Sequence, residues 1–359
     1  MDIIEATSAY ERWLRQFVSI VPSDLALKHR RMRADAFSFM RGTYYRWCQL
    51  RKANARHERG VTRVLAVGDL HVENFGTWRD AEGRLIWGVN DFDEAAVLPW
   101  TEDLMRLAVS AQLAIQGQHL RIKRRLACSS ILAGYREGLA LGGRPFVLEE
   151  DHAWLRRIAT TKLRDPSVFW RKLNALPTTR KIGRDPAAAI AAALPARGLS
   201  VRLARRVAGM GSLGRPRFVG LARWGGGLVA REATARAPSA SAWLSGGGLE
   251  SGAYLRIIGR AVRVPDPTVH VGGKWLVRRL APHCTRIELA DLPTGHEAEQ
   301  LLHAMGFETA NLHLGTPGAV RTIGRELRAH GPDWLRHISD TLAAKIQADW
   351  KRWRGRKPG

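Results

Sequence analysis

Two short acidic stretches stand close together in the chain, Gly68-Asp69-Leu70-His71-Val72-Glu73-Asn74 and Asn90-Asp91-Phe92-Asp93-Glu94. An Asp followed five residues later by an Asn suits phosphoryl transfer to a hydroxyl or amine. The Asp accepts the nucleophile's proton and the Asn holds a magnesium ion that bridges the phosphates. Magnesium wants hard oxygen ligands and keeps waters, so one amide oxygen and one carboxylate suffice. The second stretch supplies that carboxylate. Each residue also has a plainer use. Asp and Asn are common turn formers, and one DxxxxN match arises easily by chance. A lone His71 is more often a hydrogen-bonded loop histidine than a ligand. Several carboxylates together are costly unless a cation joins them, and this favours the chemical reading.

The flanking pattern brings the two stretches together. Residues 61–67, VTRVLAV, read as a short buried strand that ends before Gly68. A hairpin follows, with its turn at Asp80-Ala81-Glu82-Gly83 and a returning strand over Leu85–Val89. Both stretches then lie at neighbouring ends of one hairpin. Asp103 opens the next helix, where it caps that helix or braces the loop by hydrogen bonds. Arg41 could clamp a phosphate or a substrate carboxylate, or pair with one of the nearby acids. Trp87 and Trp100 read as packing residues.

Residues 1–58 show helical spacing, as do 101–141, 240–259, 295–313 and 333–353. Residues 142–200 mix helical stretches with breaks at Pro166, Pro177, Pro186 and Pro195. The runs RLARRVAGM, RFVGLARW and GLVAREAT, with a further pair near 267–280, predict an antiparallel sheet. Between the first two of these runs stands Gly209-Met210-Gly211-Ser212-Leu213-Gly214, spaced so that backbone N–H groups can approach phosphates. In a chain with 35 glycines a plain β-turn is the competing reading. Arg231, in the third run, could pair with the phosphates, although its geometry differs from a lysine's. Glu250, in the helix that follows, is its candidate ion-pair partner.

Gly68–Asn74 resembles the GDxHxxN loop of aminoglycoside and choline phosphotransferases. Asp91-Phe92, followed by Asp103-Leu104, resembles their metal-binding Asp-Phe and downstream Asp-Leu. More closely, the whole chain resembles the bacterial family catalogued as domain of unknown function 2252. That resemblance runs through KHRRMRADAFSFMRG (Lys28 to Gly42), GDLHVENFG, NDFDEA, PWTEDLMRLA and RRVAGMGSLG. It implies Asp69 as catalytic base and Asn74 with Asp91 as magnesium ligands, Asp93 sharing or replacing the role of Asp91. Val67 stands where the antibiotic and choline enzymes usually carry His, which weakens the case for their substrates.

The implied fold is α+β, a protein-kinase-like two-lobed architecture. The glycine run follows the catalytic loop here, so the lobe order is expected to be circularly permuted. Residues 1–200 would form a helical lobe with the catalytic and metal loops, and 201–294 a small β-rich nucleotide lobe. Residues 295–359 would pack back on the catalytic lobe, the helix 295–313 beside the strand Val61–Val67. Termini that meet in space make such a rearrangement tolerable.

The composition agrees with a globular chain: 45% hydrophobic and 25% charged over 359 residues. No stretch approaches the roughly 20 apolar residues of a membrane span, and MDIIEATSAYERW does not read as an export signal. Cys48, Cys128 and Cys284 are too few and too scattered for a disulfide framework or zinc cluster. The reading is a cytoplasmic protein. The net charge of +24 attracts polyanions, and the basic run from Lys351 to Lys357 could bind phosphates or simply form a frayed end.

The expected activity is an ATP- and Mg2+-dependent phosphotransferase acting on a hydroxyl or amine acceptor. Nucleotidyl transfer would use nearly the same parts. A nucleotide-binding regulator without turnover is the first alternative, supported by Arg231 in place of lysine. A nucleic-acid-binding protein is the second; it fits the charge but leaves the clustered acids unexplained. The acceptor and the oligomeric state are not legible in the sequence.

Overall fold

The computed structural model describes residues 1–52, 60–149, 151–160, 165–248, 252–282, 284 and 295–356. Four helices open the chain: α1 (Ile3–Leu14), α2 (Pro22–Ala34), α3 (Ala36–Gly42) and α4 (Tyr44–Lys52). Local chemistry starts and stops them. Asp2 accepts from the backbone of Ile4 and Glu5, and the Glu5 carboxylate returns a bond to the Asp2 N–H, a capping box. Pro22 sits in the first turn of α2, where its missing N–H costs nothing. Asp35 ends α2 and caps α3 by accepting from the Ser38 N–H at 2.7 Å.

Next come β1 (Arg63–Ala66), β2 (Phe75–Arg79), β3 (Leu85–Val89) and β4 (Ala96–Pro99). β1 pairs with β4, while β2 and β3 form the expected hairpin with its turn at Asp80–Gly83. All five residues of β3 are buried, as in a strand covered on both faces. The helical stretch 101–141 is divided into α5 (Thr101–Gln116) and α6 (Arg124–Leu141). The break falls after Gly117, where Gln118 adopts φ 59°, a left-handed conformation that stops a helix.

A short strand β5 (Phe146–Val147) completes the hairpin sheet. It is followed by α7 (Ala153–Thr160), α8 (Pro166–Asn174) and α9 (Arg184–Ala192). A second sheet has five antiparallel strands in the order β6-β7-β8-β10-β9. These are β6 (Arg202–Arg205), β7 (Arg217–Trp224), β8 (Gly227–Ala235), β9 (His270–Gly272) and β10 (Trp275–Leu280), with α10 (Ala240–Ser245) and α11 (Gly252–Arg260) between β8 and β9. The chain ends in α12 (Gly295–His313), α13 (Ala319–Ala329) and α14 (Trp334–Gly355).

Every strand pairing among the described residues is antiparallel, and the fold mixes helices with several sheets. One large core, including Trp47, Trp87, Trp100 and Trp353, joins the N-terminal helices, the hairpin, α5, α6 and α12–α14. The five-stranded sheet has two smaller cores of its own. α8 brings Leu173 onto Val219, Leu221 and Ala230, and α9 brings Ile190 onto Ala233 and Val277 on the other face. Residues 166–192 thus pack with this sheet, although the sequence pattern groups them with the preceding helices. Among the described residues no helix is long and apolar enough to cross a membrane.

Candidate functional site

β1 delivers Asp69 through a constrained turn. Gly68 has φ +82°, and a Cβ there would lie 2.6 Å from the Glu94 carbonyl oxygen and 2.7 Å from the Tyr44 hydroxyl, so only glycine fits. Asp103, wholly buried, accepts from the N–H groups of Val67 and Gly68, both at 2.8 Å. His313 meets the same carboxylate at 3.1 Å, and Tyr135 meets His313 at 2.8 Å. Asp103 therefore braces the loop. It does not cap α5, whose N-cap residue is Trp100.

The Asp69 carboxylate is oriented from behind by Arg106. The guanidinium is wholly buried, donates to Oδ1 through Nε at 3.0 Å and Nη2 at 2.7 Å, and packs against the rings of Tyr44 and Trp47. Asn74 donates its Nδ2 to the Asp69 carbonyl at 2.8 Å, a bond that does not engage its amide oxygen. His71 accepts from the Glu73 N–H at 3.2 Å, as a loop histidine does. Arg41 pairs with Glu73. Of the two roles weighed for Arg41, this is the carboxylate pairing.

The second acidic stretch leaves the same end of the hairpin, since the Asn90 N–H donates to the Asn74 carbonyl at 3.1 Å. Its carboxylates have different partners. Asp93 pairs with Arg215 at 3.0 Å. Glu94 accepts from the Ala240 N–H at 2.6 Å, and burial pushes its pKa up to about 7. Asp91 opens to the cavity yet is ringed by protein; burial and then Asp93 raise its pKa. Among the described residues it has no ion-pair partner.

The glycine run faces these groups. Gly209 turns the chain with φ +78°. A Cβ on Gly211 would stand 3.8 Å from Asp69 Oδ2. Ser212 accepts from Arg217 Nη2 at 2.7 Å, and the Gly211 carbonyl accepts from Lys28 Nζ at 3.1 Å. Gly214 instead accepts from the Val21 N–H at 2.8 Å and packs against Leu25, away from the cavity.

Arg231 is not brought to the site. It donates to the carbonyls of Ala193 and Ala230, on the α9 side of the sheet. Strand side chains alternate between faces, so its neighbour Glu232 points into the cavity. There Arg206, Arg217 and Arg278 surround Glu232 and outweigh burial, holding its pKa down to about 2. Glu250 lies outside the described residues, as does Lys357 of the basic tail.

One cavity of about 840 Å3 gathers most of the expected residues. Asp69, His71, Asn74, Asp91 and Asp93 line it, as do Arg41, Gly209, Gly211 and Ser212; Asp103, Gly214 and Arg231 do not. Apolar side chains line it as well, among them Ile258, Val269 and Leu280, with the Tyr254 ring against Phe92. Sequence reasoning missed Lys28, Arg215, Glu232 and Arg278, which also line it. Only Lys28 had a signal, as the first residue of the stretch KHRRMRADAFSFMRG. The others are single charges scattered through an Arg-rich chain.

Residues 20–166 match the family model described as "Uncharacterized protein conserved in bacteria (DUF2252)". The match supports the DUF2252 family for this part of the chain, which holds Lys28, Arg41, Asp69, Asn74, Asp91 and Asp103. The glycine run and Arg231 lie beyond the DUF2252 match. No curated protein and no solved structure matches the chain. Among the described residues no three His, Cys, Asp or Glu side chains stand where they could jointly hold a metal. The oxygens of Asn74 and Asp91 fit magnesium all the same, because that ion is usually held by one or two carboxylates, substrate phosphates and waters.

Proposed function

We propose that the chain is an ATP- and magnesium-dependent phosphotransferase acting on a hydroxyl or amine. The observation that carries this reading is the approach of Asp69 Oδ2 to Gly211 across one cavity. A base and a glycine loop far apart in sequence thereby face a common space large enough for a nucleotide. Asp69 takes the acceptor's proton, with Arg106 fixing one oxygen and leaving the other toward the cavity. Asn74 and Asp91 are the magnesium ligands, and the ion when bound neutralises phosphate charge. Asp93, tied to Arg215, is the less available of the two carboxylates. The apolar part of the lining takes the base of the nucleotide.

In this reading the helical part and the five-stranded sheet are the two lobes of a kinase-like fold in permuted order. The position of α12 supports it: the chain just past its end returns to β1, where Thr316 accepts from the Leu65 N–H at 2.8 Å. The regulator reading drew on Arg231, which faces away from the cavity and so no longer favours it.

Thermal unfolding with and without Mg·ATP tests the proposal. Ligand at 100 times its Kd adds about 2.7 kcal/mol, enough to raise the midpoint by several degrees in a domain of this size. The expected result is a magnesium-dependent rise that Asp91→Ala abolishes. No shift at millimolar nucleotide would overturn the reading.

A further inference from the structure

Building on the nucleotide reading, we propose that Lys28 and the Gly209–Ser212 loop form the seat of the nucleotide's outer phosphate. This is the role that position in the sequence suggested for Arg231. Helix α2, from the start of the chain, delivers Lys28 to the loop, and Nζ donates to the Gly211 carbonyl at 3.1 Å. An ammonium has three N–H donors, so this bond leaves two for a ligand. Gly211 has no Cβ, and the space one would fill borders both Asp69 Oδ2 and the Arg41 carbonyl. The phosphate would thus sit beside the proposed base.

Lys28 is the only lysine among the buried described residues; the other buried cations are Arg51, Arg106, Arg217 and Arg231. An arginine needs a planar fork of acceptors, whereas a lysine is a compact charge that fits a narrow loop. The charged groups facing Lys28 are Glu11 on α1, Asp69 after β1, Glu94 before β4 and Arg215 before β7. No carboxylate of the described residues stands within ion-pair distance of Nζ. Burial without a paired anion pulls its pKa down to about 8. A phosphate supplies the missing counter-charge. It binds the ammonium form, so affinity falls as pH rises through about 8. Glu94, at about 7, is half ionised at neutral pH and finishes ionising over the same span, and Lys28→Arg, which keeps Glu94, shows its share separately.

The test is calorimetric titration of Mg·ATP into the wild type, Lys28→Arg and Lys28→Met at about pH 7 and about pH 9. One pH unit above a pKa leaves about a tenth of the groups charged, so the wild type is expected to bind about tenfold more weakly at the higher pH. Lys28→Arg keeps its charge and loses the part of that dependence that Lys28 contributes. Lys28→Met binds about tenfold more weakly at pH 7, also without that part of the alkaline fall. Equal wild-type affinity at both pH values, an arm that needs no variant to fold, overturns the proposal. So does Lys28→Met binding as tightly as the wild type. If the wild type binds no Mg·ATP, the nucleotide reading fails, and pyrophosphate decides the seat separately. Pyrophosphate binding weakened about tenfold in Lys28→Met upholds it, and no pyrophosphate binding overturns it.

Discussion

Arg106 directs two N–H groups, Nε at 3.0 Å and Nη2 at 2.7 Å, onto a single oxygen of Asp69. A guanidinium that gripped both oxygens would block the carboxylate. Gripping only Oδ1 fixes its direction and leaves Oδ2 facing Gly211 and the cavity.

Asp69→Asn is therefore expected to lower kcat by about 100-fold or more, the usual contribution of a positioned base. Mg·ATP binding should persist, because Asn74 and Asp91 are untouched. Steady-state kinetics beside a binding titration checks this, and unchanged turnover would remove Asp69 from the chemistry.

Asp103→Ala is expected to destabilise the fold by about 3 kcal/mol or more. It leaves the buried N–H groups of Val67 and Gly68 without an acceptor, at about 1–3 kcal/mol each. Urea unfolding measures the loss. A change under about 1 kcal/mol would mean that the loop is braced elsewhere.

Gly306→Ala is expected to cost about 1–3 kcal/mol or more, the range for overpacking. The added Cβ would fall 2.0 Å from the Ile131 carbonyl of α6, and the reciprocal Cβ on Gly134 would fall 1.9 Å from the His303 carbonyl of α12. Backbone cannot yield to a methyl as a flexible side chain can, so the two helices must separate. The unfolding midpoint of the variant reports it.

The buried carboxylates predict a stability maximum near pH 5. Glu232 has its pKa lowered from 4.5 to about 2. It adds stability above the unfolded value that is lost as pH falls from about 4.5 through 2, about 3 kcal/mol in full. Glu94 and Glu308 are raised to about 7, in both cases chiefly by burial. Between about 4.5 and 7 the folded chain keeps protons that the unfolded chain has released, so stability falls as pH rises. Glu308→Gln should remove its share of that fall and leave the acid limb unchanged. Thermal midpoints from pH 3 to 8 decide it.

Arg231→Lys should leave turnover within about twofold of wild type, because the side chain serves α9 through the Ala193 carbonyl and not the cavity. A large gain in kcat would mean that position 231 reaches the phosphates after all.

Much of the local structure was legible in the sequence because local chemistry decides it. The alternation and turn residues around Asp80–Gly83 give the hairpin at its observed place. The apolar spacing of GHEAEQLLHAMGFETANLH gives α12 with its observed ends. The two acidic stretches leave one end of the hairpin because a hairpin is a local structure, and the Asn90–Asn74 bond joins them there. What the sequence left open lay across the chain. The role of Asp103 depended on where two N–H groups of another segment came to rest, and helix spacing alone carries no such information. Position 231 could not be oriented from its neighbours, because a shift of one residue in strand register exchanges the faces of Arg231 and Glu232. Lys28 was one cation among 57 basic residues. Only the packing of α2 against the glycine loop buried it beside Gly211. By itself the sequence determined where the acidic stretches and the glycine run lie and how most segments fold locally. The tertiary structure alone decided which charges share the cavity, because burial and pairing across distant segments depend on contacts that spacing along the chain does not encode.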